Sequence, residues 1–599
     1  MRTLSIPGIL LRAAILAIAV FLATITALTA QTVIVNQGED WTGQTRQAFY
    51  TRDQGSRIMP LSWMRALDQP DGQGFLEDAL ARYGYLPLPR RANADVPIGF
   101  TIALQDGTDN IGMTCSACHT RQIDVNGTNY RIDGGPGIVD FQSFLRDLDD
   151  AVLNILADAA AFTTFAEKVL GGGSSPAERD ALLGQVEIWS ARFHALVDNS
   201  LPTPAWGPSR LDAVSMIFNR LTGLDLGTPE DNFIIEANIE IADAPARYPF
   251  LWNAARQDFT QWPGFAENGN AILGLARNLG EVYGVFGIFH PTVQDRFLQL
   301  NRDYITNNSA NFTGLGEVED LIGMIGAPRW PWELDDQLVA AGEQVFHRAS
   351  NDGGCTECHG IAPGVTRPVL NRTWRTPILD AGTDQRECEI LSRTASSGVL
   401  EGARIPFING GKALGATEPA FDLLSMSVIG AIIQNTVSSA TMASSEMVSE
   451  GMADAMPMEG MEGVEDFPPE LLQLQGAFPD LESDGPMMMM ATGEAIECKY
   501  ESRVLEGIWA AAPYLHNGSV PTLEALLMPA ADRPASFAVG PAYDIDKVGL
   551  ATTQTVFNYV LETTDCSDLS SGNSRCGHDW GTDLSDVDKR ALLEYLKSL

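Results

Sequence analysis

The chain has 599 residues, of which 45% are hydrophobic and 19% charged, and this composition is typical of a globular protein large enough for several domains. Its 77 acidic and 39 basic residues give a formal net charge of -38. That charge argues against nucleic acid and anionic membranes as partners. It favours either a basic partner protein or a surface that simply keeps the chain soluble.

The N-terminus has the pattern of an export signal. Arg2 and Arg12 form a short positive region, residues 13–25 are almost continuously apolar, and small residues precede Gln31. We therefore predict a signal peptide over residues 1–30 and a periplasmic or secreted mature protein without an integral membrane domain. An uncleaved membrane anchor is the alternative, because the apolar run extends slightly toward the N-terminus.

A C-x-x-C-H motif occurs twice. Two cysteines at this spacing each form a thioether to one haem, and the histidine that follows binds the iron. A C-x-x-C pair alone would also suit a redox dithiol or half of a zinc site, but the adjoining histidine, the duplication and the export signal argue against both. The sequence therefore predicts two covalently bound haem c groups, attached at Cys115, Cys118 and His119 and at Cys355, Cys358 and His359.

The apolar pattern predicts a helix over 143–170 that ends at three glycines, and a second helix that begins at Ser175. A short helix over 340–346 leads into the second haem motif. A last helix follows the N-cap residue Ser585 and runs toward the C-terminus. We therefore expect a mainly α fold with two cytochrome c-like haem domains, long loops and helical insertions.

The domain boundary is expected at the prolines of residues 328–331, which gives an N-terminal haem domain over 31–330 and a C-terminal cytochrome c domain over 331–599. Within the second domain, residues 441–490 are rich in Met, Glu, Ser, Gly and Pro and are predicted to be a disordered acidic insertion. A copper(I) site at the methionine cluster of residues 487–490 is the alternative interpretation.

Four cysteines lie outside the haem motifs. An even number of remaining cysteines in an exported protein favours two disulfides. Three pairings are open. We favour the short loop from Cys566 to Cys576 together with a bond between Cys388 and Cys498.

Four further stretches resemble the bacterial di-haem cytochrome c peroxidase superfamily, which includes the di-haem rubber oxygenases and the enzyme that matures methylamine dehydrogenase. The most specific stretch, residues 512–523, reads APYLHNGSVPTL, and the others are 206–212, 261–264 and 276–281. The resemblance covers most of the mature chain, and the rubber-oxygenase branch is the nearer one. It implies a reactive haem in the N-terminal half, a six-coordinate electron-transfer haem in the C-terminal half, and a tryptophan between them.

By this resemblance the intervening tryptophan is Trp262, although an ordinary core tryptophan is the alternative. Arg277 and Glu281 lie four residues apart on one helical face and would serve as the acid–base pair that peroxide cleavage needs. A salt bridge on the helix surface is the alternative for this pair. An oxygenase would instead need an apolar pocket, for which three phenylalanines are candidates, Phe265, Phe286 and Phe289.

The sixth ligand of the C-terminal haem must come from elsewhere in the chain. We favour His578, which follows a cysteine of a predicted disulfide, with His516 and Met528 as alternatives. Otherwise His516 is expected to make hydrogen bonds between the domains. Calcium, which this family often holds between its domains, has no clear ligand loop in the sequence. The remaining histidines, which we expect to be structural, are His194, His290 and His347.

The sequence leaves three functions open. The first, which we favour, is a di-haem peroxidase-like oxidoreductase that takes electrons from a small redox protein at the C-terminal haem and reduces peroxide at the N-terminal haem. The second is a dioxygenase that cleaves an unsaturated hydrocarbon such as polyisoprene. The third is a non-enzymatic electron carrier with two six-coordinate haems, and the length of the chain argues against it.

Overall fold

The computed structural model describes residues 32–88, 95–294, 300–366, 372–405, 411–449 and 498–599, with side chains in the fifth range described as far as residue 436. The predicted signal peptide lies outside these residues. Of the predicted insertion, the first nine residues, 441–449, belong to a helix, and the rest lies outside the described residues. Across the described ranges, no helix combines the length and apolar character needed to span a membrane.

The fold mixes helices and strands, so the prediction of a mainly α fold is wrong. Helices account for 39% and strands for 17%, and the strands form many small sheets. The helices are α1 Gly43–Thr51, α2 Leu61–Ala66, α3 Phe141–Ala157, α4 Ala159–Leu170, α5 Pro176–Ser200, α6 Ala213–Phe218, α7 Ala271–Gly284, α8 Phe312–Met324, α9 Asp336–Phe346, α10 Thr356–His359, α11 Arg386–Ile390, α12 Ala420–Ser449, α13 Leu523–Leu526 and α14 Asp586–Ser598.

The first haem motif connects two three-stranded sheets. Their strands follow the orders β2-β4-β3 and β1-β6-β5, and only β1 and β6 pair in parallel. The motif itself is the connection from β4 to β5. The strands are β1 Thr32–Ile34, β2 Met59–Pro60, β3 Phe100–Gln105, β4 Thr108–Met113, β5 Thr120–Val125 and β6 Thr128–Asp133.

The turns of the two hairpins explain why strands form here. Asp106-Gly107 joins β3 to β4, and Asn126-Gly127 joins β5 to β6. All four residues have positive φ, from 50° to 82°, which two-residue hairpin turns with the favoured twist require. The sequence reasoning overlooked these two pairs, although Asp-Gly and Asn-Gly are strong hairpin signals.

The remaining strands are only two to five residues long and tie loops together rather than forming layers. Each pairs antiparallel with one partner. The pairs are Arg210–Leu211 with Ala246–Arg247, Phe259–Thr260 with Ala266–Glu267, Thr292–Val293 with Arg302–Asp303, Ala362–Thr366 with Arg372–Arg375, Ile378–Leu379 with Tyr500–Glu501, Thr394–Ser396 with Thr417–Pro419, Ser536–Ala538 with Val560–Glu562, and Tyr543–Asp544 with Gly549–Leu550.

The helices predicted after the first motif are present, with one difference. The single helix predicted over 143–170 is two helices, because Asp158 ends α3 and caps α4 by accepting a hydrogen bond from the Ala160 amide at 2.8 Å. Gly171 ends α4 at a φ of 88°. The predicted start of α5 is confirmed, since Ser175 and Glu178 form a reciprocal capping box.

The predicted helix before the second motif and the predicted C-terminal helix are also confirmed, as α9 and α14. The Ser585 hydroxyl caps α14 by accepting from the Asp588 amide at 3.2 Å. The two helices cross at Gly342, where an added Cβ would lie 2.0 Å from the Ala591 carbonyl oxygen. Only glycine allows this approach, which fixes how α14 lies over the segment that leads to Cys355.

The apolar core has three main clusters. One lies around α3 to α5, and another lies around α6, α7 and α12. The third joins distant parts of the chain, since it includes Val35, Phe250, Trp509 and Leu592. Residues from both halves therefore share one core, which holds the two haem motifs in a fixed relation.

Two disulfides close the loops of the C-terminal half. Cys388 pairs with Cys498 and Cys566 pairs with Cys576, with Cα atoms 5.6 and 5.4 Å apart. The favoured pairing is confirmed. The four cysteines of the two haem motifs form no disulfide.

Candidate haem-binding sites

The first C-x-x-C-H motif is held by the ends of two strands. Cys115–Ala117 forms a single 3-10 turn. The side-chain carbonyl of Gln54 accepts hydrogen bonds from the Cys115 amide at 2.8 Å and from the Thr114 hydroxyl at 2.5 Å. The Nδ1–H of His119 donates to the Pro249 carbonyl at 2.9 Å, which leaves Nε2 available to a metal.

The reactive side chains of the first motif are largely surrounded by protein. Cys115, Cys118 and His119 are each partly accessible although protein surrounds them. Burial raises the pKa of both thiols to about 12 and lowers the pKa of His119 to about 4. The imidazole is therefore neutral at physiological pH, which is the state that binds a metal.

The second motif has the same arrangement on different elements. Cys355 lies nine residues after the end of α9, and its amide donates to the Phe346 carbonyl at 2.9 Å. The Nδ1–H of His359 donates to the Arg503 carbonyl at 2.8 Å, and burial lowers the pKa of this imidazole. A cavity opens beside the motif and is lined by Cys355, Cys358, His359 and His578.

His578 faces His359 across this cavity. The two ring centroids are 6.1 Å apart. Two imidazoles that bind one metal ion through bonds of about 2.0 Å have ring centroids about 6 Å apart. The spacing therefore suits one iron between the two rings. Burial, followed by the neighbouring His359, lowers the pKa of His578 to about 3.

The loop that carries His578 is held in an unusual conformation. His578 itself has a φ of 53°, and Gly577 before it has a φ of 84°. The buried guanidinium of Arg533 donates to the carbonyls of Gly577 at 2.7 Å and His578 at 3.1 Å. Together with the disulfide at Cys576, these bonds fix the direction of the His578 ring.

The other candidate ligands lie elsewhere. His516 is stacked on Tyr500 with ring centroids 4.0 Å apart, in the wall of the same cavity. The backbone carbonyl of Met528 accepts from Arg533, and this residue is not among those that line the cavity. The three histidines expected to be structural contact other residues: His194 lies 2.8 Å from Asp149, His290 is stacked on Phe233, and His347 bonds to Thr356.

Trp262 lies at the junction of the two sites. Its side chain is 8% exposed, and its indole N–H donates to the Arg247 carbonyl at 3.1 Å. It lines the cavity of the second motif, while the adjacent Gln261 donates to Glu281 near the first motif. This position suits a group that connects the two haems, and a simple core role is also consistent with its burial.

Arg277 and Glu281 lie beside the first motif on α7. The negative charge of Glu281 contributes to the raised pKa of Cys115, and Arg277 counteracts it, so both charges are close to that thiol. Arg277 does not pair with Glu281 but with Glu319 at 2.7 Å and with Asn268 at 2.6 Å. Both side chains are enclosed by protein, so the alternative of a surface salt bridge is wrong.

The carboxyl group of Glu281 has an altered acidity. Burial raises its pKa, and the Gln261 amide at 3.1 Å holds one of its oxygens. A raised pKa brings a carboxyl group closer to the range in which it accepts and returns a proton near neutral pH.

The three phenylalanines do not converge on one pocket. Phe286 belongs to the cluster around α3 to α5 and is stacked on Phe193. Phe289 belongs to the cluster around α7 and α12, and Phe265 packs at its edge against Phe421. These residues therefore act as ordinary core residues in this arrangement.

The residues of both motifs fit haem c. Each offers two thiols outside any disulfide and a neutral histidine whose Nδ1–H is already bound to a backbone carbonyl. Apart from this, no group of three or more His, Cys, Asp or Glu residues in the described ranges is placed to hold a metal ion.

Comparison with known proteins identifies the class of cofactor. Residues 499–538 match the family described as RoxA-like, cytochrome c-like. A cytochrome c-like domain implies haem c with its iron and suggests a c-type cytochrome oxidoreductase. The match supports a relation to RoxA and the di-haem cytochromes, and it covers the segment that runs past Arg503 and His516.

Two proteins of Sinorhizobium fredii (strain NBRC 101917 / NGR234) are similar to this chain. Uncharacterized protein y4iJ is 26% identical over 621 residues, which cover 94% of this chain and 92% of that protein. Uncharacterized protein y4iM is 39% identical over 118 residues, which cover 16% of this chain and 27% of that protein. The first similarity extends over nearly the whole of both chains.

Proposed function

We propose that the protein is an exported di-haem oxidoreductase, in which electrons from a small redox protein enter at the second motif and peroxide is reduced at the first. The positions of the histidines support this division of roles between the two motifs. His578 faces His359, whereas the four remaining histidines contact other partners and none pairs with His119 in the described residues. A haem at the first motif would therefore have no second histidine ligand and could take a reactant there, whereas His359 and His578 would both hold the haem at the second motif.

The haem iron would supply the two electrons that convert hydrogen peroxide to two waters. The chain would manage the two protons that this reaction also consumes. These two protons would come from solvent, and Glu281 would pass a proton to the leaving oxygen through the carboxylate oxygen that Gln261 does not bind. Arg277, held by Glu319 and Asn268, stabilises negative charge that develops on the oxygen atoms.

Trp262 would connect the two sites. Its indole lines the cavity of the second motif, and its neighbour Gln261 binds the proposed proton acceptor of the first. An aromatic side chain at this position shortens the path that an electron must follow between the haems.

A second candidate is a dioxygenase that cleaves a carbon–carbon double bond of an unsaturated hydrocarbon such as polyisoprene. It is supported by the RoxA-like match of residues 499–538. The separation of the three phenylalanines and the buried charges of Arg277 and Glu281 favour the peroxide reaction instead, because a hydrocarbon site needs an apolar lining.

Electron paramagnetic resonance and optical spectra of the isolated protein test the proposal. We expect two haems by mass, one high-spin and one low-spin iron, and rapid consumption of peroxide after addition of electrons. Two low-spin irons that ignore peroxide in both oxidation states would contradict it and favour an electron carrier. A stable dioxygen complex, with carbonyl products from an isoprene oligomer, would favour the dioxygenase.

A further inference from the structure

Three buried arginines have guanidinium groups that lack hydrogen-bond acceptors. Arg121, Arg247 and Arg503 are 0%, 4% and 7% exposed. Each uses part of its guanidinium to bind protein oxygens, from Pro136, Leu515 and Gln257 respectively. Within the described residues, no acceptor binds Nε or Nη2 of Arg121, Nη1 of Arg247 or Nη1 of Arg503.

The positive charge of these arginines is also poorly balanced. Arg503 has one carboxylate, Glu501, at 3.5 Å. For Arg121 and Arg247, no carboxylate of the described ranges lies within 4.0 Å. Buried cations of this kind are costly unless an anion pairs with them.

The three cations lie between the two haem motifs. Arg247 and Arg503 both lie against the indole of Trp262, at 4.5 and 5.3 Å from its ring centre, and both line the cavity of the second motif. Arg503 also lies 4.9 Å from the ring centre of Phe250, which follows Pro249, the residue whose carbonyl binds His119. Arg121 follows His119, the histidine of the first motif, by two residues.

We propose, on the basis of the proposed function, that Arg121, Arg247 and Arg503 bind the propionate carboxylates of the two haems beside Trp262. Each haem carries two propionates, and a guanidinium group matches a carboxylate through two parallel hydrogen bonds. The unfilled N–H groups and the surplus positive charge are both satisfied by this arrangement. The negative charge of the propionates also offsets the positive charge of Arg247 and Arg503 beside Trp262. Without this compensation, the two cations would disfavour removal of an electron from the indole.

Midpoint potentials of the holoprotein test this assignment. Arg247→Gln and Arg503→Gln remove one charge each, Arg247→Lys and Arg503→Lys keep it, and Arg256→Gln removes an exposed arginine as a control. Haem content is first measured by mass and by the pyridine haemochrome spectrum. Loss of a cation at a propionate favours ferric haem, so we expect the ferric/ferrous equilibrium constant to change about tenfold, or about 59 mV, in the Gln variants. The Lys variants should lie closer to the parent protein.

The outcomes separate the two proposals. Absence of covalent haem in the parent protein would overturn the proposed function itself. Two haems in every variant, with potentials of the Gln variants equal to that of Arg256→Gln, would overturn only the propionate assignment. If the Gln variants fail to retain haem while the Lys variants retain it, the assignment is supported. If the Lys variants fail as well, a purely structural role for these arginines is indicated and the assignment is overturned.

Discussion

With a haem at the second motif, as proposed, His578 would determine the spin state of its iron, because the His578 ring lies 6.1 Å from that of His359 in the same cavity. We expect His578→Asn to convert the low-spin signal to a high-spin signal, since it removes the second strong-field ligand. Asparagine also tolerates the positive φ of 53° at this position, so the loop should keep its conformation. Low-temperature electron paramagnetic resonance measures the change.

His194→Asn is the matched control, because this histidine lies on α5 and contacts Asp149. It should leave both haem signals unchanged. If His578→Asn keeps its low-spin signal, another residue must be the ligand, and His516→Phe would then be the next variant to examine.

Under the proposed function, Glu281 would give the peroxide reaction a defined dependence on pH. The carboxylate form accepts the proton, so the rate should fall as the pH drops through the pKa of Glu281, which burial places above its ordinary value of 4.5. Glu281→Gln should lower the rate about 10²- to 10⁴-fold and remove this acid limb. Stopped-flow measurement of peroxide consumption from pH 4 to 9 tests both effects.

The exposed carboxylate Glu317, which pairs with Arg52, provides the control for this experiment. Glu317→Gln should keep the parent rate and its pH profile. A Glu281→Gln protein with the full rate would exclude Glu281 as the proton acceptor.

Functional residues that belong to a short sequence motif could be predicted from the sequence. Functional residues that only the folded chain brings together could not. The six motif residues were located from their spacing, and the structure orients each motif histidine through a carbonyl far away in the chain. Arg121, Arg247 and Arg503 are separated by more than a hundred residues from one another, and no local pattern marks an arginine as buried and unpaired. Their position depends on the core that joins the two halves.

Gly342 controls how α9 and α14 pack. Gly342→Ala would place a methyl group 2.0 Å from the Ala591 carbonyl, so the helices must move apart. We expect a loss of about 1–3 kcal/mol in the free energy of unfolding. Gly316→Ala, in the interior of α8, meets no atom within 4 Å and should increase stability by up to about 1 kcal/mol through helix propensity. Urea denaturation distinguishes the opposite signs.

Equal effects of the two substitutions would show that the crossing of α9 and α14 tolerates a side chain. This crossing could not be predicted from sequence, because a glycine in a helix gives no sign of what lies against it. By contrast, the Asp-Gly and Asn-Gly pairs at 106–107 and 126–127 do predict hairpin turns from sequence. The prediction of a mainly α fold was wrong because it rested on helical patterns alone.

The two disulfides should differ in their contribution to the stability of the whole molecule. Cys388 and Cys498 are 110 residues apart in sequence, while Cys566 and Cys576 are 10 apart. A longer closed loop restricts the unfolded chain more, which gives about 4.7 kcal/mol for roughly 100 residues and about 3 kcal/mol for roughly 15. Double alanine variants at each pair, compared by urea denaturation, should show the larger loss for Cys388 and Cys498. The reverse order would mean that native contacts, such as those of the His578 loop, dominate.

The net charge of -38 bears on how the molecule would meet a redox partner. Complementary charge raises association rates at low salt, and screening at ionic strengths above about 0.1 M shortens its range to about 10 Å or less. We therefore expect electron transfer from a basic cytochrome to slow by more than about tenfold between 20 and 500 mM salt in stopped-flow experiments. Reduction by an uncharged hydroquinone should stay nearly constant, because it has no charge to steer. If both reductants respond alike, the acidic surface serves solubility and does not select the partner.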